Sequence, residues 1–510
     1  MTIPIIDLFA GPGGLGEGFA SLCDGKNPSY RIGVSVEKDP VAHRTLTLRA
    51  VFRQLQNTPA IELYYQYIRK EISQEDFLSD QTVAAAFEHA RDEARCIELG
   101  KCEPKELDEA IQATLKGDPF WVLIGGPPCQ AYSVAGRARR VRDESFKNDE
   151  KHFLYREYLR IIRQHKPAIF VMENVKGLLS SKHGDDPMFA SILGDLSKPA
   201  NGLTYDIRSF VKRTEPGSEL EPYDYVIEAE KFGIPQKRHR VILLGVRSDL
   251  ASVQHHVLEE KEQVTVKQAI MDLPWIRSRL SKKDTTEAWQ QAVAKAPSYI
   301  RGWGTDGEEE LTQWTTHYAE LAKKLTSTGA HFIKYQGKRR LGDQQFRNWI
   351  IDEKLGGYCQ HEARSHMDSD LSRYMFAACY AKLHGYSPRL HVFPPKLLPA
   401  HANALDPNKE TTPFKDRFRV QCAQEPSTTV VAHIAKDGHY YIHYDPVQCR
   451  ALTVREAARL QTFPDNYFFE GNRTEQYTQI GNAVPPLLAH QLAKVVRRMI
   501  LEAKRKAGVA

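Results

Sequence analysis

No apolar stretch of this 510-residue chain is long enough to suggest a membrane span, and the residues after Met1 read as a core strand, not an export signal. Eight cysteines are few for the length and form no close-spaced framework. Cys96 and Cys102 stand near one another without a second pair, in a segment that reads as helix. This argues against a disulfide scaffold or a zinc module and for a reduced, cytosolic protein. Internal repeats and low-complexity tracts are missing. So is a strong charge of one sign: 70 Lys and Arg against 64 Asp and Glu give a formal +6, which permits nucleic-acid binding without requiring it.

What is present is the repeat of an α/β protein with more than one domain. Residues 5–10 read as a first strand, a helix follows near 18–23, and 31–37 read as a second strand ending in an acid. Strands recur at 120–124, 168–172 and 241–246, with helices such as 153–164 between them. The repetition predicts a mostly parallel sheet covered on both faces. Helical patterns dominate from about 41 to 115, including 84–99, and the stretch reads as a helical insertion over about 41–116. After Ser248 the pattern breaks into polar and aromatic segments, with Pro394, Pro395 and Pro399 marking turns and 439–444 resembling an edge hairpin. Helices return at 453–460 and 486–500, and 504–510 is expected to fray. The expected division is a first domain over 1–248, a second over 249–449, and a closing section, 450–510, that completes the first.

Several features converge on the carboxyl edge of that sheet, where open α/β folds place their ligands. The run from Phe120 to Gly126 ends in Pro127-Pro128-Cys129-Gln130, and the proline pair fixes the path of the chain toward Cys129. Alone, that residue reads equally well as a buried, inert cysteine. A glycine-rich turn, Asp7-Leu8-Phe9-Ala10-Gly11-Pro12-Gly13-Gly14-Leu15-Gly16, lets backbone approach a ligand; alone it would serve a nicotinamide, a flavin or another adenosyl group. Glu37 can accept from both ribose hydroxyls, or stabilise the helix after Pro40. The strand at 168–172 runs into Glu173-Asn174-Val175. Thiol, carboxylate and nucleotide-type turn together indicate an enzyme of covalent chemistry. Basic clusters stand at Arg137, Arg139, Arg140 and Arg142, at Lys237, Arg238 and Arg240, and at Lys338, Arg339 and Arg340. The first two lie beside the proposed edge, which favours phosphate contact over a solvated face.

Cysteine, glutamate and arginine suit one chemical problem. Carbon 5 of a pyrimidine is a poor nucleophile toward a methyl sulfonium, and thiolate addition at carbon 6 makes the ring enamine-like. Charge developing at ring nitrogen 3 and the carbonyl oxygen would be met by Glu173 and Arg240. A base stacked in a duplex is out of reach, so it would be flipped out.

On these residues the chain resembles the DNA cytosine-5 methyltransferases, the bacterial modification enzymes especially. The resemblance implies a Rossmann-like, S-adenosylmethionine-dependent α/β domain with a mostly parallel sheet and a second, target-recognition domain. It implies Phe9, Gly11, Gly13 and Gly14 around S-adenosylmethionine, Glu37 on its ribose and Pro128 beside it. Asn482, in Gly481-Asn482-Ala483-Val484-Pro485-Pro486, would lie near its methionine end. Cys129 would be the nucleophile and Glu173 the contact to the flipped cytosine. Gln236-Lys237-Arg238-His239-Arg240 is similar to the family's glutamine, arginine, arginine pattern, with Arg240 on the base and Arg238 supporting the site. Residues 450–465 resemble the segment that organises the recognition domain. DNA contacts are implied for Gln130, for Ser133 in a candidate lid with Gly136, for Gln236, and for Thr429, which reads equally as ordinary strand packing. For the acid that contacts adenine, Asp108 and Asp118 stay open, the latter equally a turn residue beside Pro119.

The implied partners are double-stranded DNA and a separate restriction endonuclease without a stable complex. No metal and no membrane are expected, and a cytoplasmic monomer is. A nicotinamide dehydrogenase gives no reason for cysteine, glutamate and basic residues together. An amino-directed DNA methyltransferase would carry an acidic or polar residue before paired prolines and an aromatic. An RNA or transfer-RNA cytosine-5 methyltransferase is the closer alternative, although the Cys-Phe-Thr element of its transfer-RNA branch is absent. A non-catalytic DNA-binding homologue would not need Cys129, Glu173 and Arg240 together.

Overall fold

The computed structural model describes residues 2–128, 154–183, 186–213, 219–304, 307–336, 343–399 and 415–509. Its centre is an eight-stranded sheet made of β1 (Ile3–Leu8), β2 (Tyr30–Glu37), β3 (Ala94–Cys96), β4 (Val122–Gly125), β5 (Ile169–Val175), β6 (Tyr205–Ser209), β7 (Val226–Glu228) and β8 (His239–Arg247). The order is β6-β8-β5-β4-β1-β2-β3, with β7 also paired to β8. Neighbours from β5 to β3 run parallel, and β8 runs antiparallel to β5, β6 and β7.

All six residues of β1 are buried, as a parallel strand covered on both faces requires. Alternate side chains part to the two faces. Ile3, Ile5, Val122, Ile124, Ile169, Val171, Ile242 and Leu244 pack with the last helix through Leu488, Leu492, Val496 and Ile500. Ile6, Leu8, Leu123, Phe170, Met172 and Leu243 pack on the other side with Leu107, Ile111, Tyr158 and Ile162. The last helix runs Pro486–Lys506, farther than the pattern predicts. Lys504, expected to fray, is buried with its ammonium 5.6 Å from the Phe120 ring centroid and 3.9 Å from Asp118.

Two expectations are corrected. The helix predicted over 84–99 ends at Glu93, and residues 94–96, Cys96 included, form β3 at the sheet edge. A three-residue strand with only Ala94 buried leaves no periodicity to read. The segment 439–444 is not a hairpin: Ile442 makes single bridges to Val420 and Ala451, and Tyr441, Ile442 and His443 are all buried. Its aromatic residues fill a core instead of lining an edge. Among the described residues no helix is long and apolar enough to cross a membrane.

Candidate active site

The turn after β1 starts at the carboxyl edge. Phe9 and Gly11 both have φ of +59°, and Gly13 has φ of +98°. Left-handed backbone at Phe9 is unusual for a bulky residue and marks a built conformation. A Cβ at Gly11 would meet no atom within 4 Å, so the turn is open on that side and has room for a ligand. Gly13 precedes α1 (Gly14–Ala20), and the segment at Ala483 and Val484, next to the exposed Asn482, presses against Gly14. Glu37, at the end of β2, accepts from the Gly11 amide at 2.8 Å with one oxygen and from the Lys38 and Asp39 amides with the other. The helix after Pro40 is capped by Asp39, which accepts from Val41 and Ala42. That role therefore does not fall to Glu37.

Glu173 and Arg240 meet where β5 and β8 leave the sheet. The register sets Ile242 opposite Glu173 and Arg240 opposite Val175, so the two side chains share one face as diagonal neighbours. Arg240 Nε lies 3.0 Å from Glu173 Oε1, and each side chain is 14% exposed. Burial pulls the Arg240 pKa below its ordinary value and Glu173 opposes the shift. A Cβ at Gly126 would sit 2.9 Å from Glu173 Oε2, so glycine there leaves the carboxylate its place. Asn174, on the opposite face of β5, donates to the Pro127 carbonyl at 3.3 Å and ties the approach of Pro128 to the same strand. Cys129, Gln130, Ser133, Gly136, Arg137, Arg139, Arg140 and Arg142 lie outside the described residues, as do Lys338, Arg339 and Arg340.

The basic run at 237–240 divides into three separate roles and is not a single phosphate contact. Lys237 pairs with Glu425 at 2.8 Å on the surface. Arg238 is buried, donating to the carbonyls of Val430 (2.9 Å) and Gly481 (3.4 and 3.5 Å), with no carboxylate partner among the described residues. Burial, with Arg240 nearby, drives its pKa well down. The resemblance predicts a DNA contact for Gln236, but this side chain is wholly buried. It donates to the Leu460 carbonyl and to Gln461, and accepts from the Val430 amide at 2.7 Å. Gln236 and Arg238 thus bind three distant segments together. Thr429 is half-buried, donating to the Lys237 carbonyl at 2.6 Å, beside the short parallel pairing of Gln236–Lys237 with Ser427–Thr428.

Neither open acid stands at the carboxyl edge. Asp108 accepts from Arg160 at 2.9 Å and lies 2.8 Å from His165 Nε2, which together hold its pKa low against burial. Asp118 accepts from the Phe120 amide at 2.8 Å, the turn reading, at the far end of β4. The segment 450–465, which resembles the one that organises the recognition domain, carries three wholly buried arginines, Arg450, Arg455 and Arg459, whose burial the resemblance does not predict. Their four- to five-residue spacing in an Ala- and Leu-rich segment is the available signal: Arg450 bonds Glu456, and Arg459 bonds Asp465 and Asp272.

A family model described as C-5 cytosine-specific DNA methylase matches residues 79–498. The chain is 31% identical to the type II methyltransferase M.Bpa9945I of Bacillus paralicheniformis, over 97% of this chain and 99% of that protein. It is 28% identical to the type II methyltransferase M.AgeI of Thalassovita gelatinovora, over 96% and 98%. Identity to the DNA (cytosine-5-)-methyltransferase M.ApeKI of Aeropyrum pernix is 26%, over 78% and 85%. Among solved structures, one described as a DNA modification methyltransferase encoded within an E. coli prophage shares the fold, with a TM-score of 0.54 and 20% identity over 97% and 98% of the two chains. The chain belongs to the C-5 cytosine-specific DNA methylases and is a DNA cytosine-5 methyltransferase.

Proposed function

We propose that this protein methylates carbon 5 of a cytosine flipped out of a specific duplex DNA sequence, through a covalent adduct with Cys129. The observation that carries the reading is the Glu173–Arg240 pair, 3.0 Å apart and little exposed, with Glu173 on the strand tied to Pro127. The pair offers a carboxyl group and a guanidinium to one planar ring, in a site dry enough for both to act strongly. S-adenosylmethionine, the cofactor the family implies, supplies the methyl group as an electrophilic sulfonium. The open face at Gly11, the left-handed Phe9 and Glu37 bound to that turn support such a ligand, with Pro128 and Asn482 proposed beside it.

The Cys129 thiolate forms a bond to carbon 6, and the electron pair this places at carbon 5 takes the methyl group, whose carbon–sulfur bond would break to leave a neutral thioether. Loss of the carbon 5 proton then expels the thiolate and restores the aromatic ring. Glu173 holds a proton at ring nitrogen 3 while Arg240 donates to the carbonyl oxygen, where negative charge develops. Gln236 and Arg238 act through these groups by fixing the strand that carries Arg240. Gln130, Ser133 and Thr429 are proposed contacts to DNA, and target choice is assigned to 249–449. Relatives named as type II methyltransferases support a role as the modification partner of a separate endonuclease.

Incubation with methyl-labelled S-adenosylmethionine and varied duplexes should place label on carbon 5 of cytosine in one sequence context. Label on adenine, or on RNA alone, overturns the substrate. A duplex with 5-fluorocytosine at the target should become trapped through Cys129, because fluorine cannot leave as a proton does. A bond from another side chain, or none under active turnover, overturns the mechanism.

A further inference from the structure

The turn from Phe9 to Gly13 has three left-handed residues in five, a conformation that persists only where its surroundings over-determine it. Most of its polar groups are held by nearby backbone or by Glu37. Ala10 donates to the Val36 carbonyl, Gly13 donates to the Ala10 carbonyl, and Gly11 donates to Glu37. Pro12 is different: it has no amide proton, and its carbonyl is the one polar handle it offers. That carbonyl accepts from the hydroxyl of Tyr467, which comes from the far end of the chain and is fully buried.

Tyr467 is itself braced. The Arg49 guanidinium lies 4.7 Å from its ring centroid, donates to both oxygens of Glu17 on α1 (2.9 and 2.5 Å) and reaches Asn466 Oδ1 at 3.0 Å. Burial works against the Glu17 carboxylate, but Arg49 and Arg53 outweigh it and hold the group ionised. The Asn466 amide donates to Asp352 at 2.6 Å, and Asp352 also accepts from Tyr65 at 2.5 Å. Tyr64 donates to the Asn466 carbonyl at 2.8 Å. Tyr64 and Tyr65 lie on the helix Ile61–Arg69, within the stretch read as an insertion.

We propose that Tyr467 is a positioning residue for the cofactor turn, and that the chain Arg49–Asn466–Asp352, with the helix at 61–69, holds its hydroxyl on Pro12. The helical stretch then closes a polar brace between the cofactor turn and Asp352, in the segment assigned to target recognition. The inference rests on the reading of the turn as the S-adenosylmethionine site.

Binding of S-adenosylhomocysteine by calorimetry tests it without turnover. Tyr467→Phe keeps the ring and removes only the donor to Pro12, so its Kd for S-adenosylhomocysteine should rise about tenfold, the worth of one buried hydrogen bond. In turnover the KM for S-adenosylmethionine should rise similarly, while kcat at saturating cofactor and KM for DNA stay within about twofold. Asp352→Asn, which lies outside the turn and keeps an acceptor oxygen for Tyr65 and Asn466 but takes away the charge that strengthens both bonds, should weaken S-adenosylhomocysteine about threefold. A folded Tyr467→Phe or Asp352→Asn protein with wild-type affinity overturns the proposal, as does a loss confined to kcat. If Tyr467→Phe fails to fold, Asp352→Asn alone decides. A wild-type protein that binds no S-adenosylhomocysteine overturns instead the cofactor reading, and with it the ground for this one.

Discussion

Glu173 and Arg240 are diagonal neighbours on antiparallel strands, with Arg240 Nε 3.0 Å from Glu173 Oε1. The geometry makes each group the condition of the other. Burial lowers the Arg240 pKa and the Glu173 carboxylate opposes that shift, and the guanidinium in turn fixes which way the carboxylate faces. Glu173→Gln keeps the shape and loses the charge, so methyl transfer in single turnover should fall by about 100-fold or more, the scale of losing one aligned charge-stabilising group. S-adenosylhomocysteine affinity should stay within about twofold, because the pair is not in the cofactor turn. Arg240→Ala should cost as much, and the double variant should be far from additive. Additive losses would mean that the two act separately.

Arg459 predicts a different kind of loss. Its side chain is wholly buried, donating to Asp465 at 2.9 and 2.7 Å and also bonded to both oxygens of Asp272. Two carboxylates left in a dry interior cost far more than the pairing itself contributes. Arg459→Met should therefore lower unfolding free energy by about 3–5 kcal/mol, read from urea midpoints. Arg459→Lys should rescue little, since an ammonium cannot serve both carboxylates in a planar fork.

The sequence shows the frame where one segment suffices to show it. The apolar runs of β1, β4 and β5 and the residues that end them are legible because both faces of those strands are buried and their carboxyl ends carry the chemistry. Its short length hides β3. Gln236 reads as a DNA contact through the resemblance of its segment to the glutamine, arginine, arginine pattern, which carries no information about burial. The two-residue period of extended chain holds the correction: Gln236, Arg238 and Arg240 share one side, buried or nearly so, and Lys237 takes the other. The brace between Pro12 and Tyr467 is not legible at all. Its partners are 455 residues apart, and no local pattern encodes such a pairing.

Acid should unfold the protein through its buried histidines. His361 and His443 flank Glu456, and burial depresses both pKa values to about 4. His361 Nε2 faces the Pro274 carbonyl at 2.9 Å and must donate, which leaves Nδ1 to accept from Thr453. His443 Nδ1 accepts from the Asp445 amide at 3.0 Å. Both are neutral when folded, while in the unfolded chain each takes a proton near pH 6.5. Folded values below unfolded ones mean that stability is full above about pH 6.5 and is lost as pH falls toward 4, on the order of 3 kcal/mol for each histidine. Urea unfolding at pH 7, 6 and 5 should show the decline, and His443→Asn should flatten it. An unchanged slope would assign the acid sensitivity to other groups.

Gly126 separates catalysis from folding most cleanly. It follows β4, and an added Cβ would stand 2.9 Å from Glu173 Oε2. The atom in the way is the free end of a flexible side chain, so the carboxylate can move where a backbone could not. Gly126→Ala should leave the urea midpoint nearly unchanged, within about 0.5 kcal/mol of unfolding free energy. It should lower the rate of methyl transfer by about tenfold or more, because a small displacement of an aligned group already weakens its stabilisation of the developing charge. The loss should appear in kcat, with the cofactor turn and its affinity unaffected. A variant as unstable as Arg459→Met would show that backbone, not the Glu173 carboxylate, absorbs the methyl group. Wild-type turnover would show that the position of this carboxylate does not limit the reaction.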